Sequence, residues 1–252
     1  MKNKIKEKLR NGEAVFGSWV FTNSFDNAQI MSYAGADCIM IDGEHGSMDI
    51  ESAGLLVSAI RTGPAEPLLR VPWNDLALIK RGLDTGCAGI MIPMVCSHEE
   101  AERAVSCCKY PPVGVRGMGA GRASLFGNHG DTYFPHANDE VAVILQIEHY
   151  KAVENVEEIV SMPGIDIAFV GPVDLSTSMG VSPDSPEVIE AFKKVIAACR
   201  RYGVTPGVMT GSGNIQMHLD LGFRFLLGGT DSQILYAGAK AIADEYRSCR
   251  IQ

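Results

Sequence analysis

The sequence has no apolar run approaching the ~20 residues that cross a bilayer, so no membrane-spanning helix is expected among its 252 residues. It also lacks an excess of positive charge. With 22 Lys and Arg against 30 Asp and Glu, the formal charge is -8, which disfavours nucleic acid and anionic membrane surfaces as partners. The first ten residues lack the apolar core of a signal peptide. Only Ile5 and Leu9 are apolar there, four apart, and a short amphipathic helix is expected. No Cys-x-x-Cys pair occurs among the cysteines at 38, 87, 96, 107, 108, 199 and 249. Their odd number, with no export signal, points to reduced thiols in a cytoplasm, and the adjacent Cys107 and Cys108 read as helix packing. No Gly-x-Gly-x-x-Gly joins a strand to a helix, which argues against the dinucleotide-binding form of an open doubly wound sheet.

The sequence does contain apolar runs that end in polar groups. Val141 to Glu148 is apolar except for Gln146 and Glu148 near its end, the pattern of a strand buried on both faces. A buried carboxylate is costly unless compensated, so Glu148 needs a partner. Asp37 to Asp42, Leu68 to Arg70 and Asp166 to Gly171 repeat the design, the last with Asp174 following. Strands that each deliver a polar group at the carboxyl end are how a (β/α)8 TIM barrel builds a site, and one such domain usually takes ~250 residues.

Eight strands are expected, at 15–20, 37–42, 68–71, 88–93, 141–148, 166–171, 204–208 and 224–228. Helical patterns lie between nearly all of them, over 24–33, 49–61, 75–83, from the cap Ser97 with Glu100 three residues on, 186–202 and 231–247. The alternation implies parallel strands in a single-domain barrel over 1–252 with a short N-terminal helix; an open doubly wound sheet is the second reading. The Gly-rich segment Pro111 to Asn138, with Arg116 and Arg122, is expected to be an irregular functional loop.

Several groups could carry chemistry. Glu148 and Asp174 follow neighbouring strands and suit a hard divalent ion, Mg2+ or Mn2+, better than zinc; an ion pair or helix cap is the plainer role for Asp174. His45, after the second strand, is the candidate acid/base, against a structural role. The histidines at 98, 129, 136, 149 and 218 are expected at the surface. Arg70 could hold a carboxylate or a developing enolate oxygen, or form a salt bridge to Asp42 or Asp84. Gly171 to Asp174 could offer backbone N–H groups to an anion. None of the ten lysines falls in an expected strand, so a Schiff-base mechanism has no evident amine, and an aldol-type barrel would need a metal.

The segments Ile41–His45, Arg70–Asn74, Tyr110–Gly117, Leu145–Glu148 and Phe169–Leu175, in this order, resemble the metal-dependent pyruvate aldolases of the HpcH/HpaI family, and the resemblance runs from about Gly12 to Ala243. It implies a TIM barrel assembled as a homo-oligomer, a trimer or a hexamer of paired trimers, with the last helix exchanged between subunits. It implies that Glu148 and Asp174 bind Mg2+ or Mn2+, with Co2+ also admissible. Gln146 and the backbone at Val173 and Asp174 would hold pyruvate, Arg70 would stabilise its enolate, His45 would be the general base and Asp84 would raise its basicity. The pattern sets Asp84 near the end of the third βα helix, away from the barrel mouth. The implied reaction is reversible cleavage of a 4-hydroxy-2-oxo acid to pyruvate and an aldehyde, with Arg70→Ala losing turnover more than folding. The loop Gly117 to Ser124, His149 and the stretch Val208 to Ser212 depart from the family pattern where the aldehyde would lie. Two alternatives are a related lyase acting on a malyl or citryl thioester and a non-catalytic barrel that binds 2-oxo acids.

Overall fold

Side chains on a strand alternate between two faces, and in this chain both faces are apolar, so the sheet needs cover on each side. The computed structural model describes residues 2–249; Met1 and residues 250–252, part of the single-domain span read above, lie outside it. Among the described residues the strands are β1 (Val15–Val20), β2 (Cys38–Asp42), β3 (Glu66–Arg70), β4 (Gly89–Ile92), β5 (Ala142–Ile147), β6 (Ile167–Val170), β7 (Thr205–Thr210) and β8 (Phe225–Thr230). Each pairs in parallel with the next, and β8 pairs with β1 to close the barrel.

Alternate residues sort into two cores. Trp19, Met40, Leu68, Met91, Ile144, Phe169 and Phe225 fill the barrel interior. Ile39, Ile41, Leu69, Ile90, Val143, Leu145, Val170 and Leu226 pack outward against the helices. The helices are α1 (Lys4–Arg10), α2 (Phe25–Tyr33), α3 (Ile50–Ile60), α4 (Leu76–Asp84), α5 (His98–Cys108), α6 (Gly130–Glu140), α7 (Tyr150–Glu154), α8 (Val156–Val160), α9 (Pro172–Met179), α10 (Pro186–Tyr202), α11 (Ile215–Leu221) and α12 (Asp231–Ser248). Side-chain caps start several of them. Ser97 accepts the N–H of Glu100 at 3.2 Å, while Glu100 reaches back past the cap to the N–H of Cys96 at 2.7 Å.

Helices return antiparallel to the strands, so the ends of α4 and α5 lie at the amino-terminal face of the barrel. The helix α1 plugs that face. Ile5 joins the interior core, Asn3 Nδ2 donates to the carbonyls of Ala88 and Glu140 at 2.7 Å each, and Lys6 Nζ pairs with Asp166 at 2.7 Å. Lys109 is also buried on this face, where Nζ donates to the Asn138 carbonyl at 2.5 Å.

The segment Pro111 to Asn138 corrects the expectation of an irregular loop. It contains a 3-10 turn at Arg122–Ser124 and most of α6, and it packs at the amino-terminal face. Its anchor is aromatic: Tyr110 meets Phe134 with ring centroids 5.3 Å apart, and Arg116 lies 4.4 Å above Tyr110. Among the described residues, no helix is long and apolar enough to cross a membrane.

Candidate active site

Stepping by two from the interior core identifies what the strand ends must present. Met40 leads to Asp42, Leu68 to Arg70, and Ile144 to Gln146 and then Glu148, all at carboxyl ends and all inward. Asp42 and Arg70 are register partners across β2 and β3. Arg70 Nε donates to Asp42 Oδ1 at 2.8 Å and Nη2 to Oδ2 at 2.6 Å, a fork on a carboxylate that is 0% exposed. The same Oδ1 accepts the N–H groups of Glu44 at 3.0 Å and His45 at 3.3 Å. One carboxylate therefore orders both the guanidinium and the turn that carries His45. Trp19 stacks on Arg70 with 4.6 Å between the guanidinium carbon and the ring centroid.

Gln146 joins this pair to the acidic side of the mouth. Its Nε2 donates to Glu148 Oε2 at 2.6 Å, and its Oε1 accepts from Arg70 Nη1 at 3.5 Å. Glu148 is 3% exposed, and its Oε1 accepts the N–H of Met94 at 2.9 Å. Burial pushes its pKa up from 4.5 to about 7; the Met94 N–H and Arg70 pull it down, while the charges of Glu44 and Asp174 push it further up. Glu44 is raised as well, first by burial, with Arg70 and His45 opposing. Its Oε2 stands 3.0 Å from Arg70 Nη1, in ion-pair range without hydrogen-bond alignment.

Asp174 and Val173 are exposed in the first turn of α9, with Asp174 close enough to act on both Glu148 and Glu44. The side chain of His45 is 61% exposed, with Nε2 3.9 Å from Glu44 Oε2. A cleft of about 380 Å3, lined by Gly43, Met48, Arg70, Val71 and Arg81, opens beside Arg70.

The structure separates Asp84 from this group. It ends α4 on the opposite face, where Oδ1 accepts from the fully buried Arg116 Nη2 at 2.8 Å. The salt bridge left open for Arg70 is formed with Asp42, not Asp84. Arg70→Ala would therefore strand a buried carboxylate, and a loss of folding has to be expected beside the loss of turnover. His218 is another correction: it is buried rather than at the surface, its Nδ1 2.9 Å from Thr210 Oγ1, its pKa lowered by burial. Sequence reasoning gave no role to Glu44, Trp19 or Met94. The spacing of Glu44 two residues after a buried strand-end Asp was a usable signal; the contacts of Trp19 and Met94 depend on strand register.

The profile of the HpcH/HpaI aldolase/citrate lyase family matches residues 16–237. The chain belongs to that family. A 4-hydroxy-2-oxo-heptane-1,7-dioate aldolase from Salmonella dublin is 37% identical over 251 residues, covering 98% of this chain and 95% of that one. Among solved structures, an HpcH/HpaI aldolase/citrate lyase family protein from Burkholderia cenocepacia J2315 is 34% identical with a TM-score of 0.94, covering 98% of this chain and 100% of the other. An HpcH/HpaI aldolase from Desulfitobacterium hafniense DCB-2 is 31% identical with a TM-score of 0.90, covering 98% and 97%. Family and relatives together support a carbon–carbon lyase of the aldolase type.

HpcH/HpaI membership raises the question of a divalent ion, and the donor set fits one. The carboxylates of Glu148, Glu44 and Asp174 gather negative charge beside the guanidinium of Arg70, which already serves Asp42. Gly171 leaves room for the carboxylate: a Cβ there would stand 3.0 Å from Glu148 Oε2. Among the described residues, no group of three or more His, Cys, Asp or Glu is placed to hold a metal ion by itself. Two carboxylates that leave the other positions to substrate oxygens and water suit Mg2+ or Mn2+.

Proposed function

We propose that this protein is a metal-dependent pyruvate aldolase that reversibly cleaves a 4-hydroxy-2-oxo acid to pyruvate and an aldehyde. The observation that carries the reading is the continuous hydrogen-bonded path from Asp42 through Arg70 and Gln146 to Glu148, with the His45 turn hung on the same Asp42. Glu148 and Asp174 would hold the divalent ion, which when bound supplies Lewis-acid polarisation of the 2-oxo group. Gln146 and the N–H groups at Val173 and Asp174 orient the pyruvate portion. The fork of Arg70 has five donors, of which Asp42 and Gln146 leave some free for oxyanion charge as the enolate forms. His45 takes the 4-hydroxyl proton, directly or through water; its exposure leaves the imidazole room to reach a bound substrate. A retro-aldol assay on 4-hydroxy-2-oxo acids, with borohydride added in a parallel run, tests the reaction. Pyruvate released without a trapped lysine adduct is expected, and a covalent adduct would move the enzyme to the Schiff-base class. Cleavage of malyl or citryl thioesters alone would favour the thioester lyase reading.

The oligomer belongs to the same proposal. The helix α12 is anchored at its start, where Asp231 accepts the N–H of Phe21 at 2.9 Å, and beyond that it leaves Leu235, Tyr236, Ile242 and Tyr246 exposed. So much apolar surface on one terminal helix supports exchange of that helix between copies in a trimer or hexamer. Assembly would also give Asp84 a route to the chemistry, since its face is far from His45 of its own chain. The double variant Leu235→Glu, Tyr236→Glu is expected to shift the mass in light scattering to a smaller species; an unchanged mass contradicts the helix exchange. The seven free thiols support a cytoplasmic location.

A further inference from the structure

Among the described residues, three non-glycine positions have positive φ: Met94 at 54°, Leu125 at 50° and Phe126 at 56°. The last two sit in the loop on the amino-terminal face. Met94 stands at the mouth, just past β4, in a conformation that a side chain with a Cβ disfavours. Such strain persists only where the surroundings over-determine it.

The ladder between β4 and β5 shows what is gained. Ile92 is the register partner of Leu145, and the next bond to β5 comes from the N–H of Val95 to the Gln146 carbonyl at 3.4 Å. In a regular parallel ladder continued from Ile92 and Leu145 the N–H of Met94 would bond the Gln146 carbonyl; Val95 does so instead, so one extra residue is inserted on the β4 side. Pro93 has no N–H to give. The N–H of Met94, turned off the ladder by its left-handed backbone, goes to Glu148 Oε1 at 2.9 Å. Bulges of this kind re-aim groups beside active sites.

We propose that Met94 is a positioning residue whose strained backbone fixes the carboxylate of Glu148. With Gln146 on Oε2 and Met94 on Oε1, each oxygen has one donor and keeps a lone pair for a cation. The inference rests on the reading of Glu148 as a metal ligand. It assigns the work to the main chain of Met94 and not to its side chain. Groups that orient a ligand from behind typically change metal affinity by 10–100-fold.

Mn2+ titration followed by electron paramagnetic resonance, beside thermal unfolding of the metal-free proteins, separates the possibilities. Met94→Gly removes the side chain but favours the conformation, and its Mn2+ Kd is expected within about threefold of the parent. Met94→Val keeps an apolar side chain whose β-branch opposes the conformation, and its Kd is expected to rise about tenfold or more. A parental Kd in Met94→Val, or an equal loss in both variants, overturns the proposal; a purely structural role would lower the unfolding midpoint and leave the Kd in place. Should Met94→Val not fold, amide exchange at Met94 decides, with at least about tenfold faster exchange expected in Glu148→Ala and unchanged exchange overturning it. Glu148→Gln serves as the reference. If it binds Mn2+ like the parent, the metal-ligand reading itself fails; if it does not, failure of the Met94 series tells against Met94 alone.

Discussion

Glu148→Gln is expected to lower kcat/KM by at least ~10³-fold, at or beyond the upper end of what one electrostatic donor contributes, and to abolish Mn2+ binding in the micromolar range. The substitution is nearly isosteric, and its amide oxygen can still accept the N–H of Met94, so the barrel should stay folded, with the hydrogen bond from Gln146 Nε2 lost because an amide nitrogen cannot accept it. At neutral pH the removal of a buried charge offsets that loss. The carboxyl of Glu148 is raised from 4.5 to about 7, chiefly by burial, so the folded metal-free protein holds a proton there that the unfolded chain gives up. Stability from this group is fully present below about 4.5 and is lost as pH rises through about 7, a change on the order of 3 kcal/mol at most. The unfolding midpoint of the metal-free parent should therefore fall relative to that of Glu148→Gln between about pH 4.5 and 7 and keep a constant offset above about 7. Bound Mn2+ should reverse that fall, with an affinity that climbs with pH up to about 7 and then levels. Parallel midpoint profiles across the range would contradict the burial argument.

Arg70→Ala carries the second large effect, an expected loss of ~10²- to 10³-fold in kcat, or roughly 3–4 kcal/mol of enolate stabilisation. Folding suffers too. Asp42 is wholly buried and loses both arms of its fork, and breaking a buried pair typically costs ~3–5 kcal/mol. The double variant Arg70→Ala, Asp42→Asn separates the two consequences. Without a buried charge to strand, it is expected to recover a substantial part of the unfolding midpoint and none of the turnover. Recovery of turnover in the double variant would mean that Arg70 acts only by neutralising Asp42.

The barrel was legible in the sequence because β2 and β5 are apolar on both faces and then end in Asp42 and in Gln146 with Glu148 just beyond. Parity puts Gln146 and Glu148 on one face of β5, and the interior core shows that this face is the inward one. The start of β3 was harder to read, since Glu66 and Pro67 look like loop, yet they pair with Cys38 and Ile39. The helix α6 was hidden by Gly130 and Pro135, and it forms because Tyr133 and Ala137 pack with Tyr110. For Arg70 the sequence left salt bridge and oxyanion contact as rivals. The structure makes them compatible, because a guanidinium can fork onto Asp42 and still have donors free. The place of Asp84 at the end of the third βα helix, away from the mouth, was legible too, while its pairing with Arg116, thirty-two positions away, was not.

In the proposed reaction a cation held by Glu148 and Asp174 would polarise a 2-oxo acid next to Arg70. Exchange of the methyl protons of pyruvate into deuterium oxide, followed by NMR, tests it without any aldehyde. Rapid exchange is expected with Mn2+, none above background after chelation, and none in Glu148→Gln with Mn2+ present. Exchange that continues undiminished in chelated protein, or in Glu148→Gln, would contradict it.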